Sequence, residues 1–304
     1  MNDQATTLRQ MVSYPPTGPF AMKNGIAQEL PLDTQRQTRT IAITGGKGGV
    51  GKSNVAVNLS LELGALGRKV SLLDADLGLA NADVLLGLNP KFHLGHVLTG
   101  QRSLEEIVIE LDGGVRLIPG GSGVEQLANL SHSTHSRCVA ELRAMETRSD
   151  FMIIDTAAGI AGNVTGVLRA ATEVVVVTTP DPTAVVDAYA TIKVLHQHSP
   201  QKLVWVVVNN AIGSGDAQQV FDQLSKATER FLLRPIGLLG IIPHDSELEI
   251  AVRERIPVVE HARNAPSSRA IRLIAKFLDQ HAPASSELSS QSYSFWKNLS
   301  ETEV

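Results

Sequence analysis

The sequence predicts an α/β fold, a mostly parallel, twisted sheet with helices on both faces. Seven short apolar runs, rich in β-branched residues, recur between Arg39 and His281. The runs show little alternation of polar and apolar residues, which is typical of strands covered on both faces. Longer amphipathic stretches separate them, and helical crossovers of that length connect parallel strands with a right-handed turn.

Each predicted element follows from its own pattern. The predicted strands, in chain order, are TIAIT from Thr40, KVSLLD from Lys69, VRLIP from Val115, FMIID from Phe151, EVVVVTT from Glu173, LVWVVVN from Leu203 and IGLLGIIP from Ile236. The stretch KSNVAVNLSLELGAL, from Lys52, predicts the first helix. The stretch SRAIRLIAKFLDQ, from Ser268, has one apolar face and predicts a final core helix.

Local composition divides the 304 residues into three parts. Residues 1–38 carry several prolines and glycines with little apolar periodicity, which predicts a flexible tail. Residues 39–282 carry the regular pattern and are expected to form one nucleotide-binding domain. Residues 283–304 combine a polar spacer, ASSELSSQS, with a short aromatic and amphipathic end, YSFWKNL.

The composition excludes several classes of protein. The chain is 43% hydrophobic and 19% charged, with a formal net charge of -4 and a pI near 6.1. Those values suit a soluble globular protein and give no reason to expect direct nucleic-acid binding. Cys138 is the only cysteine, so no internal disulfide or multi-cysteine metal site can form. The polar start and the short apolar runs lead us to expect a cytoplasmic protein.

A phosphate-binding loop is the strongest signal in the sequence. The segment GKGGVGKS, Gly46 to Ser53, fits the pattern G-x-x-x-x-G-K-[ST] between a predicted strand and a predicted helix. Backbone N–H groups at such a helix start surround phosphate oxygens. Lys52 would neutralise the β- and γ-phosphates, and Ser53 would ligate Mg²⁺. The fold is therefore predicted to be that of a P-loop NTPase, with ATP and Mg²⁺ bound by Gly46, Gly48, Gly49, Val50, Gly51, Lys52, Ser53 and Asn54.

Carboxylates at two other strand ends complete the predicted site. Asp155 ends FMIID, where a Walker-B aspartate would reach the Mg²⁺ shell, and Gly159 would offer its N–H to the γ-phosphate. Asp76, in LLDADLGLAN, would position the attacking water and reach the metal. Asp74 is expected to support the site structurally. The predicted metal ligands are Ser53, Asp76 and Asp155.

The base pocket is less strongly specified. Guanine-specific loops use N-K-x-D, whereas the strand from Leu203 ends in Asn209-Asn210-Ala211-Ile212, which favours ATP. Asn209, Pro243 and Asp245 are candidates for contact with the adenine edge. Ordinary turn roles for these three residues remain the alternative.

Taken together, these residues resemble the deviant Walker A motif, x-K-G-G-x-x-K-[ST], of the MinD/ParA ATPases. The resemblance implies that Lys47 reaches across an ATP-dependent homodimer to phosphates bound by the partner subunit. Lys47 is therefore counted with Asp76 and Lys52 as catalytic. Weak, Mg²⁺-dependent ATP hydrolysis is implied as well.

Within that family, LLDADLGLANADVLLGL and DTAAGI are similar to the MinD-like regulators of flagellar number. The segment DQATTLR resembles a motif that stimulates the FlhF GTPase, with Asp3, Gln4, Leu8 and Arg9 as contacts. The segment YSFWKNL resembles a terminal amphipathic element, with Phe295, Trp296 and Leu299 as contacts. Implied partners are FlhF, the flagellar enhancer-binding master regulator, C-ring proteins and the inner face of the cell membrane.

The C-terminal segment departs from the family in its charge. Membrane-targeting tails are usually basic, yet residues 283–304 hold Lys297 against Glu287, Glu301 and Glu303. Electrostatic attraction to anionic lipid is therefore small. We expect weak or conditional membrane association.

Two other functions remain open at this stage. A DNA segregation ATPase of the ParA type needs a basic surface, and the acidic pI argues against it. A non-hydrolysing anti-activator would keep ATP as a structural ligand, and Asp76 argues for hydrolysis instead. The nitrogenase iron protein shares the loop but needs more than one cysteine, so Cys138 excludes it.

Overall fold

The computed structural model describes residues 38–76, 81–121, 141–281 and 294–301. The predicted activator motif, with Asp3, Gln4, Leu8 and Arg9, lies outside the described residues, as does the polar spacer ASSELSSQS. Among the described helices, none is long and apolar enough to cross a membrane.

Within the described residues, eight strands form one sheet in the order β3-β4-β2-β5-β1-β6-β7-β8. They are β1 Arg39–Thr44, β2 Val70–Ala75, β3 Ile109–Glu110, β4 Val115–Pro119, β5 Phe151–Thr156, β6 Glu173–Thr178, β7 Leu203–Ala211 and β8 Gly237–Pro243. Every neighbouring pair is parallel except β3 and β4. The predicted mostly parallel α/β sheet is confirmed, and all seven predicted strands are present.

Eleven described helices with printed bounds connect or flank these strands. They are α1 Lys52–Ala65, α2 Ala82–Leu85, α3 Leu94–Leu98, α4 Leu104–Ile107, α5 Gly162–Ala170, α6 Pro182–His198, α7 Ser214–Leu232, α8 Ser246–Glu254, α9 Val258–His261, α10 Pro266–Gln280 and α11 Phe295–Glu301. A further helical stretch covers residues 141–146. The first helix and the last core helix lie where the sequence predicted them.

Two apolar cores lie on opposite faces of the sheet. Successive strand residues point to opposite faces, so Ala42 joins one core while Ile41 and Ile43 join the other. Helices α5, α6, α7 and α11 cover the first face, and α1 and α10 cover the second. Because both faces are apolar, the strand sequences lack polar alternation.

The C-terminal helix α11 is docked on the body of the protein. It packs against α5, and Phe295, Trp296 and Leu299 are 0%, 2% and 6% exposed. These three residues were expected to contact a partner. In this conformation they are buried against their own chain instead, because three large apolar side chains lose unfavourable contact with water there.

The docked helix is anchored by one buried carboxylate. Glu146 accepts hydrogen bonds from the Ser294 hydroxyl at 2.8 Å and from the Phe295 N–H at 2.9 Å. The bonds satisfy polar groups at the start of α11 that would otherwise lose their water. Burial raises the pKa of Glu146 above its usual value, although these hydrogen bonds and nearby Arg143 act in the opposite direction.

Candidate functional site: a nucleotide-binding edge

The candidate site lies at the carboxyl edge of the parallel strands, where ligands of open α/β sheets bind. Strand β1 lies between β5 and β6 at the centre of the sheet. The loop that follows β1 therefore emerges in the middle of this edge. Asp74 of β2 is in register with Asp155 of β5, so two predicted carboxylates lie side by side.

The loop between β1 and α1 has a packed side and an open side. Val50 and Lys52 are 4% and 7% exposed. A Cβ built on Gly48 or Gly49 would meet no atom within 4 Å among the described residues. A Cβ on Gly46 would lie 2.3 Å from the Asp187 carbonyl oxygen, so helix α6 requires glycine there.

The start of helix α1 suits an anion. Gly51 precedes the helix with φ 97°, and its carbonyl accepts the first helical hydrogen bond from the Val55 N–H at 3.0 Å. No side-chain cap and no acidic residue occupies the first turn in the described structure. The unbonded N–H groups of that turn, which includes Ser53 and Asn54, can therefore point at phosphate oxygens.

Asp155 is the most unusual carboxylate at this edge. Its side chain is fully buried, and neither oxygen has a hydrogen-bond partner of normal geometry within the described ranges. Burial raises the pKa of Asp155 to about 7, while the nearby Ser53 hydroxyl lowers it and Asp74 raises it further. Lys52 also lies close enough to lower that pKa.

This donor set fits a bound magnesium ion. Mg²⁺ usually takes one or two protein ligands and completes its shell with water and phosphate oxygens. The described residues contain no group of three or more His, Cys, Asp or Glu side chains suited to an all-protein metal site. The buried, unbonded Asp155 carboxylate beside Ser53 and Lys52 suits the Mg²⁺–phosphate arrangement.

Asp74 and Asp76 have different surroundings. Asp74 is 3% exposed and accepts hydrogen bonds from the N–H groups of Asp76 and Ala82, both at 3.2 Å. It therefore joins the end of β2 to the start of α2, and burial raises its pKa to about 6. Asp76, the residue after β2, is half-buried. The predicted supporting role of Asp74 agrees with this geometry, and the catalytic role of Asp76 stays a prediction.

Gly159 differs from its expected role in this conformation. It was expected to offer its N–H to a γ-phosphate, but that N–H donates to the Gly45 carbonyl at 3.0 Å. Gly159 adopts φ 97°, which a side chain would disfavour. The bond joins the loop after β5 to the phosphate loop, because each follows a neighbouring strand.

Lys47 also has a partner within its own chain. Its ammonium group donates to Asp181 Oδ2 at 2.9 Å and to the Thr183 hydroxyl at 2.8 Å. Lys47, together with the N–H and hydroxyl of Thr183, lowers the pKa of Asp181 to about 2. In the single chain, the lysine is therefore held at the start of α6, and its reach to a partner subunit stays a prediction.

Two of the three residues predicted to meet adenine have bonds of their own. Asn209 is 7% exposed and its amide donates to the Val50 carbonyl at 2.8 Å. Asp245 is 8% exposed; it accepts from the Glu247 N–H at 3.0 Å and from the N–H and hydroxyl of Ser267 at 2.9 and 2.7 Å. Asp245 thus starts α8 and joins it to α10. Pro243 ends β8 beside Ala211.

Sequence reasoning missed two partners, Asp181 and Glu146. The segment Asp181-Pro182-Thr183 carries a recognisable helix-start signal, with an N-cap aspartate and proline at the first helical position. That signal predicts where α6 begins but not that Asp181 meets Lys47, 134 positions away. No sequence pattern around Glu146 predicts its role, because it binds a segment about 150 residues later in the chain.

Comparisons with known proteins agree with the fold and with a phosphate-binding ATPase. The family described as AAA domain matches residues 38–204. The antiactivator FleN of Pseudomonas aeruginosa is 40% identical over 248 residues, covering 82% of this chain and 89% of FleN. The flagellum site-determining protein YlxH of Helicobacter pylori is 34% identical and covers 91% of this chain and 90% of YlxH.

A solved structure supports the same assignment. The septum site-determining protein MinD of Pyrococcus horikoshii, complexed with Mg-ADP, superposes with a TM-score of 0.64 at 26% identity. The match covers 80% of this chain and 96% of that MinD. Motif, sheet order and relatives converge: the chain belongs to the MinD/ParA-type P-loop ATPases, within the group that includes FleN and YlxH.

Proposed function

We propose that this protein is an ATP-dependent dimerising switch that hydrolyses ATP slowly with Mg²⁺ and regulates the number or placement of flagella. The observation that carries the nucleotide part is the buried Asp155 carboxylate, which lacks a hydrogen-bond partner in the described structure and lies beside Lys52 and Ser53. The names of FleN and YlxH support the flagellar part.

The residues of the edge have distinct proposed roles. The N–H groups of residues 48–54 and the Lys52 ammonium hold the phosphates, while Ser53 and Asp155 hold Mg²⁺. The ion supplies positive charge that stabilises the phosphoryl group during transfer. Asp76 positions the attacking water. Gly159, whose N–H now donates to the Gly45 carbonyl, would offer that N–H to a phosphate oxygen of bound ATP.

Dimerisation requires Lys47 to leave its present partners. Its ammonium and the Asp181 carboxylate are each about half exposed, so water weakens the bond between them. A second nucleotide in a facing subunit offers more negative charge than Asp181 does. Lys47→Ala should remain monomeric in ATP at concentrations where the wild type sediments as a dimer.

Asp181→Asn provides the matched comparison for Lys47→Ala. The substitution weakens the hold on Lys47 without removing the lysine, so ATP-dependent dimerisation should strengthen about two- to fivefold. If Lys47→Ala and the wild type sediment alike in ATP, Lys47 does not mediate dimerisation. If neither protein dimerises with ATP, the switch itself is disproved.

Slow hydrolysis separates this proposal from an anti-activator that keeps ATP as a structural ligand. Purified protein with Mg²⁺ and ATP should release phosphate, and EDTA should abolish the release. Binding of ATP without any turnover, alone and with each proposed partner, would favour the structural ligand.

The proposed partners are FlhF, the flagellar enhancer-binding regulator and C-ring proteins. The family resemblance supports FlhF through the segment DQATTLR. A synthetic peptide of residues 1–20 should raise the GTPase rate of the cognate FlhF, and Gln4→Ala should weaken that effect. An inert peptide with an active FlhF would remove this partner and leave the ATPase assignment intact.

Helix α11 has a conditional role in this proposal. Phe295, Trp296 and Leu299 can reach a membrane or partner only after α11 leaves α5, so binding is expected in one state of the switch. Liposome flotation in ATP and in ADP tests this. The dimer should bind better than the monomer, because two weak sites act together.

A further inference from the structure

Three neighbouring strands at the centre of the sheet each end in a buried threonine. Strands β5, β1 and β6 lie side by side, and their last residues are Thr156, Thr44 and Thr178. The three side chains are 1%, 0% and 0% exposed. Each threonine comes two positions after a residue of the first core, so all three hydroxyls lie on the same face of the sheet.

Two of these three hydroxyls have the same kind of partner. Thr156 Oγ1 donates to the carbonyl of the next residue, Ala157, at 3.2 Å, and it also lies 3.0 Å from the Ile43 carbonyl oxygen. Thr178 Oγ1 donates to the carbonyl of the next residue, Thr179, at 3.4 Å. A threonine hydroxyl at a strand end of this sheet can therefore reach the carbonyl of the residue that follows it.

Thr44 lacks the equivalent bond. Its hydroxyl has no hydrogen-bond partner among the described residues. The carbonyl that follows it belongs to the buried residue Gly45, and that carbonyl accepts the Gly159 N–H at 3.0 Å instead. A buried hydroxyl without a partner lowers stability, and its retention is explained if another state of the protein supplies the partner.

The nucleotide-bound state changes the surroundings of the Gly45 carbonyl. Once the Gly159 N–H donates to a phosphate oxygen, the Gly45 carbonyl has lost its donor and is still buried. A buried carbonyl without a donor opposes that change. The Thr44 hydroxyl lies next to this carbonyl in the chain, as the Thr156 and Thr178 hydroxyls lie next to the carbonyls that they bind.

We propose that Thr44 is a positioning residue whose hydroxyl takes over the Gly45 carbonyl when Gly159 turns to the γ-phosphate of ATP. This inference rests on the proposed function, in which Gly159 meets that phosphate. ADP has no γ-phosphate, so in the ADP-bound state Gly159 keeps its bond to Gly45 and the Thr44 hydroxyl contributes nothing. Thr44 therefore favours the binding of ATP over the binding of ADP.

Thr44→Val tests the proposal, because valine keeps the shape of threonine without the hydroxyl. Competition against a fluorescent nucleotide, at low concentrations of full-length protein, gives the affinities for Mg-ADP and for Mg-AMPPNP, an ATP analogue that resists hydrolysis. The variant should bind Mg-AMPPNP about tenfold more weakly than wild type and Mg-ADP within about twofold. Without nucleotide its Tm should rise by about 2–4 °C, because an unpaired buried hydroxyl is gone.

Two further variants separate this role from a general effect on the fold. Thr178→Val removes a hydroxyl that already binds the Thr179 carbonyl, so it should lower Tm and leave the ratio of the two affinities within about twofold of wild type. Thr44→Ser keeps the hydroxyl and should retain the wild-type ratio.

The ratio of the AMPPNP and ADP affinities decides the outcome. An unchanged ratio in Thr44→Val overturns the proposal, whether both affinities fall together or neither falls. An equal loss of AMPPNP preference in Thr178→Val or in Thr44→Ser overturns it as well, because the hydroxyl of Thr44 would not be the cause. A lower Tm of nucleotide-free Thr44→Val would show that the hydroxyl already has a partner, which also contradicts the proposal. Failure of wild-type protein to bind either nucleotide would instead disprove the nucleotide site.

Discussion

Two buried carboxylates, Asp155 and Glu146, end up in opposite situations. Burial raises the pKa of both. Neither oxygen of Asp155 has a hydrogen-bond partner of normal geometry among the described residues, although the Ser53 hydroxyl lies nearby. Both oxygens of Glu146 are occupied, one by the Ser294 hydroxyl and one by the Phe295 N–H.

The difference distinguishes a binding site from a completed contact. A buried polar group without a partner costs about 1–3 kcal/mol, so a fold retains one where something else supplies the partner. At the nucleotide edge we infer that Mg²⁺ and phosphate supply it. At the helix dock the chain supplies it from its own C-terminal segment. Four variants sharpen or break this comparison, from the largest expected effect to the smallest.

Asp76→Ala should change chemistry without changing the fold. Removing the carboxylate that positions the water is expected to slow hydrolysis about 10²- to 10⁴-fold. Nucleotide affinity should hardly change, so the ATP-bound dimer accumulates. Single-turnover assays measure the rate of hydrolysis, and sedimentation measures the fraction of ATP-bound dimer. Asp222→Ala, at an exposed position, is the control. Wild-type turnover in the variant would show that Asp76 is not the catalytic carboxylate.

Trp296→Ala should release the C-terminal helix. The indole is 2% exposed, and removing a buried tryptophan costs about 3–5 kcal/mol, more than a seven-residue helix can withstand. Hydrogen exchange should rise at residues 295–301 and at the α5 surface beneath them. Lys297→Ala, on the half-buried part of the same helix, is the control. Equal protection in both variants would contradict the docked arrangement.

Asp155→Asn should raise the stability of the nucleotide-free protein and remove the further stabilisation that Mg-ATP gives the wild type. A neutral amide of the same shape is easier to bury than a carboxylate, by roughly 1–3 kcal/mol, which raises Tm by about 3–8 °C. Mg-ATP should then add little further stability. Thermal melts with and without Mg-ATP give the Tm of the nucleotide-free protein and the increase in Tm that Mg-ATP causes. The surface variant Asp222→Asn should match wild type in both. A lower Tm without ligand would mean that Asp155 has a structural partner.

The dock of α11 should weaken as pH rises. In the docked state burial holds the pKa of Glu146 above that of a solvated glutamate, so the docked carboxyl binds a proton more tightly than it does in an undocked state that exposes it to water. Docking is therefore strongest below the usual glutamate pKa, declines as pH rises toward the raised value, and then levels off. The hydrogen bonds from Phe295, Ser294 and Trp296, and then the charge of Arg143, lower that pKa and limit the range. Trp296 fluorescence in a Trp205→Phe background follows docking, and Glu146→Gln should lose the pH dependence.

The sequence predicted the parts of the fold that have long, regular patterns. All seven predicted strands and both predicted helices formed, since the strands bury continuous apolar runs and the final core helix buries one apolar face. It missed β3, Ile109–Glu110, because two residues carry no periodic signal and the strand exists only through pairing with β4. The phosphate loop was also predictable, since its motif specifies the turn, the helix start and the lysine together.

Contacts between distant segments were not predictable from the sequence. Asn209, Asp245 and Gly159 were assigned to nucleotide from their places at strand ends. In the structure Asn209 holds the Val50 carbonyl, Asp245 joins α8 to α10, and Gly159 bonds to Gly45. A position at a strand end predicts that a residue lies at the edge of the sheet, but it does not predict which neighbouring group the side chain binds there.

The sequence by itself determined the sheet, the phosphate loop and its two lysines, because local patterns within 10 to 20 residues encode them. Tertiary structure alone decided which groups those residues meet. Lys47 met Asp181, Asn209 met Val50, and the aromatic end met Glu146 across 134 to 159 positions of chain. Such pairings depend on the order of the strands in the sheet and on how closely the helices pack. Local sequence periodicity predicts neither the strand order nor the helix packing.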